Sequence, residues 1–261
     1  KARSVLCVPL VQKASVEAIL YLENELAAGV FTDEQVELLR VLMSQAAISL
    51  ENARLYGNLQ RLADAQARFV PTQFLENLQR NSILDVGLGE NVHKDMSVLF
   101  SDIRGFTPLV EGMEPAEHIG FINAYLSHME PSILGNGGFV DSYIGDAIMA
   151  LFDGGARQAL GAAVAMLHEL ERFNEERAAR GQLPVRIGIG LNTGPLMLGT
   201  IGGPGRMDGT VISDAVNLAS RTEGLTKVYG CTLLITGSTL EALGGEVPWL
   251  VRELDRVQVK G

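Results

Sequence analysis

Cysteine, tryptophan and long apolar runs are all scarce in this sequence. Its 261 residues include only two cysteines and one tryptophan. No apolar run approaches the roughly 20 residues that a membrane-spanning helix needs. A disulfide framework is therefore excluded as the basis of the fold, and we expect Cys7 and Cys231, each among aliphatic neighbours, to be buried free thiols. The N-terminus lacks the pattern of a secretion signal, which predicts a cytoplasmic protein.

Basic residues are also in the minority. The chain has 21 lysines and arginines against 31 aspartates and glutamates, which gives a formal net charge of −10. Proteins that bind a nucleic-acid backbone draw their affinity from clustered Lys and Arg, so this balance excludes a nucleic-acid partner. An anionic nucleotide would instead require local basic residues or metal ions.

The N-terminal part of the chain has a strand pattern followed by a long helical pattern. Residues 4–10 and 16–22 are short aliphatic runs on either side of a polar turn, which predicts a hairpin. Thr32 and Gln35 form a capping-box pattern, and apolar residues continue at helical spacing to about Arg68, just before Pro71. A helix of this length is typical of a coiled coil or of a connector between domains.

Three segments of this region carry a resemblance to a known family. They read VPL followed by AILYLEN, then FTDEQVELL, then SQAAISLENARLY. They resemble the C-terminal part of a GAF domain, which implies that most of such a domain lies upstream and that this chain is a piece of something longer. We therefore expect a GAF remnant at residues 1–50, a helical signalling linker at 51–90 and a separate domain at 91–261, with no small-molecule site in the remnant.

Beyond residue 91, strand and helix patterns alternate. The residues Gly145 and Asp146 have the chemistry of a tight hairpin turn, and helices separate the other strands. A hairpin combined with helical crossovers predicts an α+β, ferredoxin-like βαββαβ sandwich rather than a doubly wound sheet. The predicted strands are 96–101, 138–144, 147–152, 185–191, 196–201, 233–235 and a last pair near 249–259, and the predicted helices are 115–134, 156–180 and 213–226.

Two aspartates stand at the ends of predicted strands. Asp102 ends an apolar strand and is followed by a glycine-containing turn, which includes Phe106 and Thr107 and whose backbone N–H groups are candidates for holding a phosphate. Asp146 lies at the tip of the predicted hairpin. Each alone is compatible with a turn-capping role. Together, two carboxylates at separate strand ends favour a two-metal site, in which hard cations neutralise a triphosphate and activate a hydroxyl.

Four further segments carry a second resemblance to a known family. They read FSDIRGFT, GGFVDSYIGDAIMALF, IGIGLNTG and MDGTVISDAVNLASR, in this order. Together they resemble the successive signature blocks of class III adenylate and guanylate cyclases, over residues 70–261. The resemblance implies that Asp102 and Asp146 hold two Mg²⁺ or Mn²⁺ ions, assisted by the backbone carbonyl of Ile103.

The resemblance also assigns residues to the nucleotide. It implies that Asn217 and Arg221 act on the ribose and on the transition-state phosphate, and that Lys260 reaches the terminal phosphates. From spacing alone, Asn217 and Arg221 are four residues apart and share one helix face, an arrangement that a solvated helix face also produces. The family builds each site from two subunits, which implies an obligate homodimer.

The purine-reading positions depart from the family pattern. Ser142 stands where adenylate cyclases usually have a lysine and guanylate cyclases a glutamate, and Thr210 is the partner position. Because hydroxyl groups both donate and accept hydrogen bonds, this pair is compatible with either purine. Gly209, where an aromatic residue is usual, and Ser213, where a glycine is usual, are smaller departures.

These observations lead to one leading expectation and two alternatives. The leading expectation is an enzyme that converts ATP to 3′,5′-cyclic AMP and pyrophosphate, through attack of the ribose 3′-hydroxyl on the α-phosphorus, under the control of an upstream sensor. One alternative is guanylate cyclase activity. The other is a catalytically silent module that binds nucleotide or dimerises without turnover, which the absence of a lysine at Ser142 favours.

Overall fold

The computed structural model of the protein describes residues 1–12, 15–203, 205–245 and 248–259. The chain divides into two compact units, Lys1–Phe69 and Val70–Gly261. Within the described residues, no helix is both long enough and apolar enough to cross a membrane.

The first unit is a hairpin and one long helix. Strands β1 (Ser4–Gln12) and β2 (Ser15–Asn24) pair antiparallel, and helix α1 spans Asp33–Ala67. The predicted capping box is present, because the Thr32 hydroxyl accepts from the Gln35 N–H while the Gln35 side chain accepts from the Thr32 N–H. The prediction of the hairpin and of the helix start is thereby confirmed.

The prediction that both cysteines are buried is wrong. Cys7 is exposed and Cys231 is half-buried, although both are free thiols. Side chains alternate between the two faces of a strand, and on β1 the buried residues are Val8 and Leu10. Cys7 therefore lies on the outer face of the hairpin, where its aliphatic neighbours do not cover it.

The second unit contains the remaining elements, with one 3₁₀ turn at Ile83–Asp85. They are α2 (Thr72–Asn77), β3 (Asn91–Ile103), α3 (Phe106–Val110), α4 (Pro115–Gly135), β4 (Phe139–Ile144), β5 (Ala147–Phe152), α5 (Ala156–Ala179), β6 (Ile187–Gly203), β7 (Arg206–Ile212), α6 (Asp214–Tyr229), β8 (Leu233–Ile235) and α7 (Gly237–Ala242).

The sheet of this unit has the predicted ferredoxin-like core. The strand order is β4-β5-β3-β6-β7, with β8 pairing parallel to β6 and every other pair antiparallel. The elements β3, α4, β4, β5, α5 and β6 follow one another as βαββαβ. The α+β prediction is therefore confirmed.

Hydrophobic packing covers both faces of the sheet. One face packs against α4 and α5, with Leu99, Ile133 and Met166 fully buried. The other face carries Val98 and Phe100, and it packs against Phe74 of α2 and Ala219 of α6. Because side chains alternate along β3, Asp102 shares the second face with Val98 and Phe100 and lies on the side of α6.

The predicted strands near the C-terminus need two corrections. The predicted strands 185–191 and 196–201 are replaced by one strand, β6, which begins at Ile187 and pairs with the whole of β3. Pro195 lies opposite Asp95, between the stretches of β6 that pair with β8 and β7. A proline is tolerated there because that stretch lacks a second ladder that would need its N–H. The strand pair predicted near 249–259 is wrong: residues 248–259 have no regular structure, although Trp249 packs against the core.

Candidate active site

The two predicted metal-binding aspartates lie at the same end of neighbouring strands. On the pair β3 and β5, Ser101 lies opposite Ile148, so the next positions along the two strands are Asp102 and Ala147, with Asp146 in the turn beyond. Gly145 has φ 66°, the left-handed conformation that a tight hairpin turn requires. The hairpin thereby brings Asp146 to the end of β3.

The carboxyl groups of Asp102 and Asp146 influence each other electrostatically. The pKa of Asp146 is raised above its ordinary value by burial, then by the negative charge of Asp102 and a hydrogen bond with the Asp102 side chain. The backbone N–H groups of Asp146 and Ile103 oppose this rise by donating to the carboxylate. The structure therefore brings Asp102, Ile103 and Asp146 together.

This donor set fits hard divalent cations. Mg²⁺ and Mn²⁺ prefer carboxylate and carbonyl oxygens, and two carboxylates in contact repel each other unless a proton or a cation lies between them. Burial is the largest cause of the raised pKa of Asp146, and this repulsion by Asp102 adds to it. Among the described residues there is no cluster of three or more His, Cys, Asp or Glu side chains suited to a metal, so a cation at this site would also depend on backbone or substrate oxygens.

Helix α6 presents the predicted catalytic pair on its outer face. Asn217 is exposed and Arg221 is half-buried, whereas Ala215, Ala219 and Thr222 are buried against the sheet. The structure thus keeps Asn217 and Arg221 on one side of the helix, as their spacing predicts, and directs them away from the sheet.

Ser213, one of the departures from the family pattern, begins this helix. Its hydroxyl accepts a hydrogen bond from the Ala215 N–H at 2.9 Å and donates to the Pro195 carbonyl at 2.6 Å. Asn192 donates to the Ala215 carbonyl at 3.0 Å. Ser213 therefore works as an N-cap that also fixes the start of α6 to β6.

Sequence reasoning missed a group of charged residues between the aspartates and α6. The Arg104 guanidinium lies 3.1 Å from the Glu223 carboxylate, with both side chains largely buried. The Lys227 ammonium lies 3.6 Å from the Asp102 carboxylate. Glu223 and Lys227 are four residues apart, a spacing that could have signalled a second functional face of α6.

The predicted purine-reading residues lie on β4 and β7. Ser142 is half-buried beside a β-bulge of β4, and Thr210 is half-buried on β7. Asp141 precedes Ser142 on β4, and burial raises the pKa of Asp141 to about 6. A hydrogen bond from Ser142 opposes this rise, and the negative charge of Asp208 adds to it. The placement of Ser142 and Thr210 in one purine pocket stays a prediction, because β4 and β7 lie at opposite ends of the strand order.

The space beside Gly209 is filled by another part of the chain. A Cβ atom built at Gly209 would lie 2.9 Å from the ring of Phe74, which is 5% exposed on α2. A glycine is required here because the Phe74 ring occupies the volume that a larger side chain would need.

The remaining predicted residues have less defined surroundings. Phe106 and Thr107 begin the short helix α3 after Gly105, where the Phe106 ring packs against His118 and Phe121 and Thr107 is exposed. Their role as phosphate ligands stays a prediction. Lys260 lies outside the described residues.

Comparisons with known proteins agree with this geometry. The family model of the adenylate and guanylate cyclase catalytic domain matches residues 89–261, and that of the GAF domain matches residues 1–50. An adenylate cyclase of Anabaena cylindrica is 44% identical over 212 residues, which is 79% of this chain and 42% of that protein. The chain therefore spans less than half the length of this relative.

Solved structures point in the same direction. The guanylyl cyclase Cya2 aligns with a TM-score of 0.59 and 34% identity, covering 66% of this chain and 88% of that one. A bacterial light-regulated adenylyl cyclase aligns with a TM-score of 0.66 and 26% identity, covering 75% and 57%. With its βαββαβ core, its paired aspartates and a family match over residues 89–261, this chain belongs to the class III adenylate and guanylate cyclase family, preceded by part of a GAF domain.

Proposed function

We propose that the chain converts ATP to 3′,5′-cyclic AMP and pyrophosphate. The observation that carries this proposal is the convergence of Asp102, Asp146 and the Ile103 backbone at the ends of β3 and β5. The adenylate cyclase of Anabaena cylindrica supports the choice of ATP through its 44% identity.

The proposed site includes two Mg²⁺ or Mn²⁺ ions held by Asp102, Asp146 and the Ile103 carbonyl. When bound, such ions neutralise the triphosphate and make the ribose 3′-hydroxyl more acidic. The overall reaction joins the 3′-oxygen to the α-phosphorus, breaks the bond to the β-phosphate oxygen and releases the hydroxyl proton to solvent. The chain itself contributes the two fixed carboxylates, which hairpin geometry sets at one end of the sheet.

Asn217 and Arg221 would act from the other chain of a homodimer. Both lie on the outward face of α6, with Asn217 exposed, and this suits residues that serve a site completed by a second copy. In that position Arg221 would stabilise the charge that develops on the α-phosphate and the leaving pyrophosphate. Asn217 would orient the ribose.

Guanylate cyclase activity is the second candidate. Two observations favour it: Ser142 replaces the lysine usual for adenine, and the guanylyl cyclase Cya2 is 34% identical to this chain. An assay of the purified chain with Mn²⁺ and either ATP or GTP distinguishes the candidates. We expect cyclic AMP to form faster than cyclic GMP; faster cyclic GMP would support the second candidate, and neither product would support the silent module.

We further propose that the α1 part of the predicted linker 51–90 connects a GAF sensor to the catalytic domain as a dimeric helix. Val41, Ile48, Leu55 and Leu62 recur every seven residues on α1, and each is more than half exposed. A seven-residue apolar repeat with an uncovered stripe is the pattern of a two-stranded coiled coil.

Charge on this stripe tests the linker proposal. Leu55→Glu combined with Leu62→Glu should weaken dimerisation, measured by sedimentation equilibrium, because like charges would face each other in the coil. Gln60→Glu adds a charge away from the stripe and serves as the control. Equal dimer affinity in all three proteins would show that the helix is a passive connection.

A further inference from the structure

We propose that Glu223 is a positioning residue that holds the guanidinium of Arg104 away from the Asp102 and Asp146 carboxylates and so keeps them available to divalent cations. This inference rests on the proposed function. It gives a role to Arg104 and Glu223, which neither the family resemblance nor the paired aspartates explain.

The first observation is the geometry of the pair. Arg104 follows Asp102 by two residues, and its Nη1 atom lies 3.1 Å from Oε1 of Glu223 on α6. Only 16% of the Arg104 side chain and 10% of the Glu223 side chain are exposed. Water therefore screens this pair weakly, and each charge depends on the other for neutralisation.

The second observation is that two glycines make room for the pair. A Cβ atom at Gly188 would overlap the guanidinium of Arg104, and a Cβ atom at Gly190 would overlap the backbone of Glu223. Gly188 is the residue opposite Asp102 on β6. The Arg104 side chain thus crosses β6 beside the aspartate, through space that any other residue at position 188 would fill.

The third observation is the charge around Asp102. Glu223 interacts electrostatically with Asp102 and Asp146 as well as with Arg104 and Lys227. The Lys227 ammonium lies 3.6 Å from Asp102, but the Lys227 side chain is 56% exposed, so water also solvates its charge. Arg104 has no comparable access to water, and Asp102 lies two residues before it on the same strand end, so that carboxylate is available to the guanidinium when Glu223 is removed.

These observations predict the effect of breaking the pair. An unpaired buried charge costs several times more than the loss of both partners. If Glu223 loses its charge, the guanidinium is drawn to Asp102 and Asp146 and competes there with divalent cations. If Arg104 loses its charge, the carboxylate of Glu223 adds to the negative potential of the site and attracts cations more strongly.

The two single variants should therefore change metal affinity in opposite directions. For the nucleotide-free chain titrated with Mn²⁺ alone and followed by the electron paramagnetic resonance of free Mn²⁺, Glu223→Gln should raise the Kd about tenfold, the size of a typical coupling between contacting groups. Arg104→Gln should leave the Kd unchanged or lower it. The double variant Arg104→Gln with Glu223→Gln should return the Kd to within about threefold of the wild type.

Controls separate this inference from a structural role and from the proposed function. Arg172→Gln removes an exposed arginine that pairs with Glu169 on the outer side of α5, and it should not change the Kd. Glu223→Asp replaces Glu223→Gln if the latter does not fold. Its shorter side chain holds Arg104 less well, so the Kd for Mn²⁺ should rise, but by less than tenfold. Thermal unfolding of every variant identifies those that have lost the fold.

Three results would overturn the inference. If Glu223→Gln has the Kd of the wild type while Asp146→Asn abolishes Mn²⁺ binding, the role of Glu223 is contradicted and the proposed metal site is not. Weaker binding in both single variants, with further loss in the double variant, would show a purely structural pair. If Asp146→Asn and the wild type bind Mn²⁺ equally, the metal site of the proposed function fails, and this inference fails with it.

Discussion

Ser101 of β3 lies opposite Ile148 of β5. This register sets the end of β3, with Asp102, beside the turn that carries Asp146. The position of Asp102 relative to Asp146 is therefore fixed by strand pairing and by a tight hairpin turn. Rigid placement of this kind is what a site for two cations requires.

Base selection should respond to the side chain at position 142. Ser142→Lys supplies a fixed donor for adenine and removes an acceptor that guanine would use, so the KM for ATP should fall and turnover of GTP should be suppressed. Ser142→Ala, which removes the hydroxyl without adding a donor, is the control. Values of kcat/KM for both nucleotides measure the effect, and an unchanged ATP:GTP ratio in Ser142→Lys would show that residue 142 is outside the purine pocket.

Activity should depend on residues from both chains of a dimer. Arg221→Ala should lower the rate by about 10²–10³, the usual cost of losing one transition-state donor. Mixing Arg221→Ala with inactive Asp146→Asn should restore part of the activity, because a mixed dimer contains one site with both residues intact. No recovery in mixtures shown to contain the mixed dimer would contradict a shared site.

The stability of the metal-free protein should depend on the ionisation of Asp141. Its pKa is raised from 3.8 to about 6, so between these values the folded chain keeps a proton that the unfolded chain has released. The free energy of unfolding should therefore fall as pH rises from about 4 to about 6, by up to about 3 kcal/mol at 1.36 kcal/mol for each tenfold change in proton affinity.

Asp141→Asn should make this fall smaller, because an amide has no proton to lose in the same range, while the raised pKa values of Asp146 and Glu223 leave a residual fall. Thermal unfolding in the presence of a chelator at several pH values measures it, with the exposed Asp95→Asn as the control. Parallel pH profiles of Asp141→Asn and the wild type would contradict the assigned cause.

Local patterns in the sequence were sufficient for most of the fold. The capping box at Thr32, the hairpin turn at Gly145 and the helical spacing on α6 each depend on residues close together in the chain, and all three are present. The strand pair predicted near 249–259 failed because the alternation of side chains within a segment does not show whether that segment pairs with another strand.

The site was predictable only in part, for the same reason. Asp102 ends β3 and Asp146 lies in the predicted turn between β4 and β5, and the pairing of β3 with β5 brings the two residues to one end of the sheet. The contact of Arg104 with Glu223 joins residues 119 positions apart across β6, and it depends on the missing side chain of Gly188. The position of Phe74 beside Gly209 also depends on long-range packing.

The most direct test of the central claim compares the wild type with Asp146→Asn at equal Mn²⁺ and ATP concentrations. The substitution removes one carboxylate charge and no core side chain, so folding and dimerisation should be retained while cyclic AMP formation is abolished. The measured quantity is the initial rate of cyclic AMP formation, with circular dichroism and sedimentation as checks on the fold and the dimer. A near-normal rate in Asp146→Asn would contradict the two-metal site, whereas a rate at background beside an active wild type is the result that we predict.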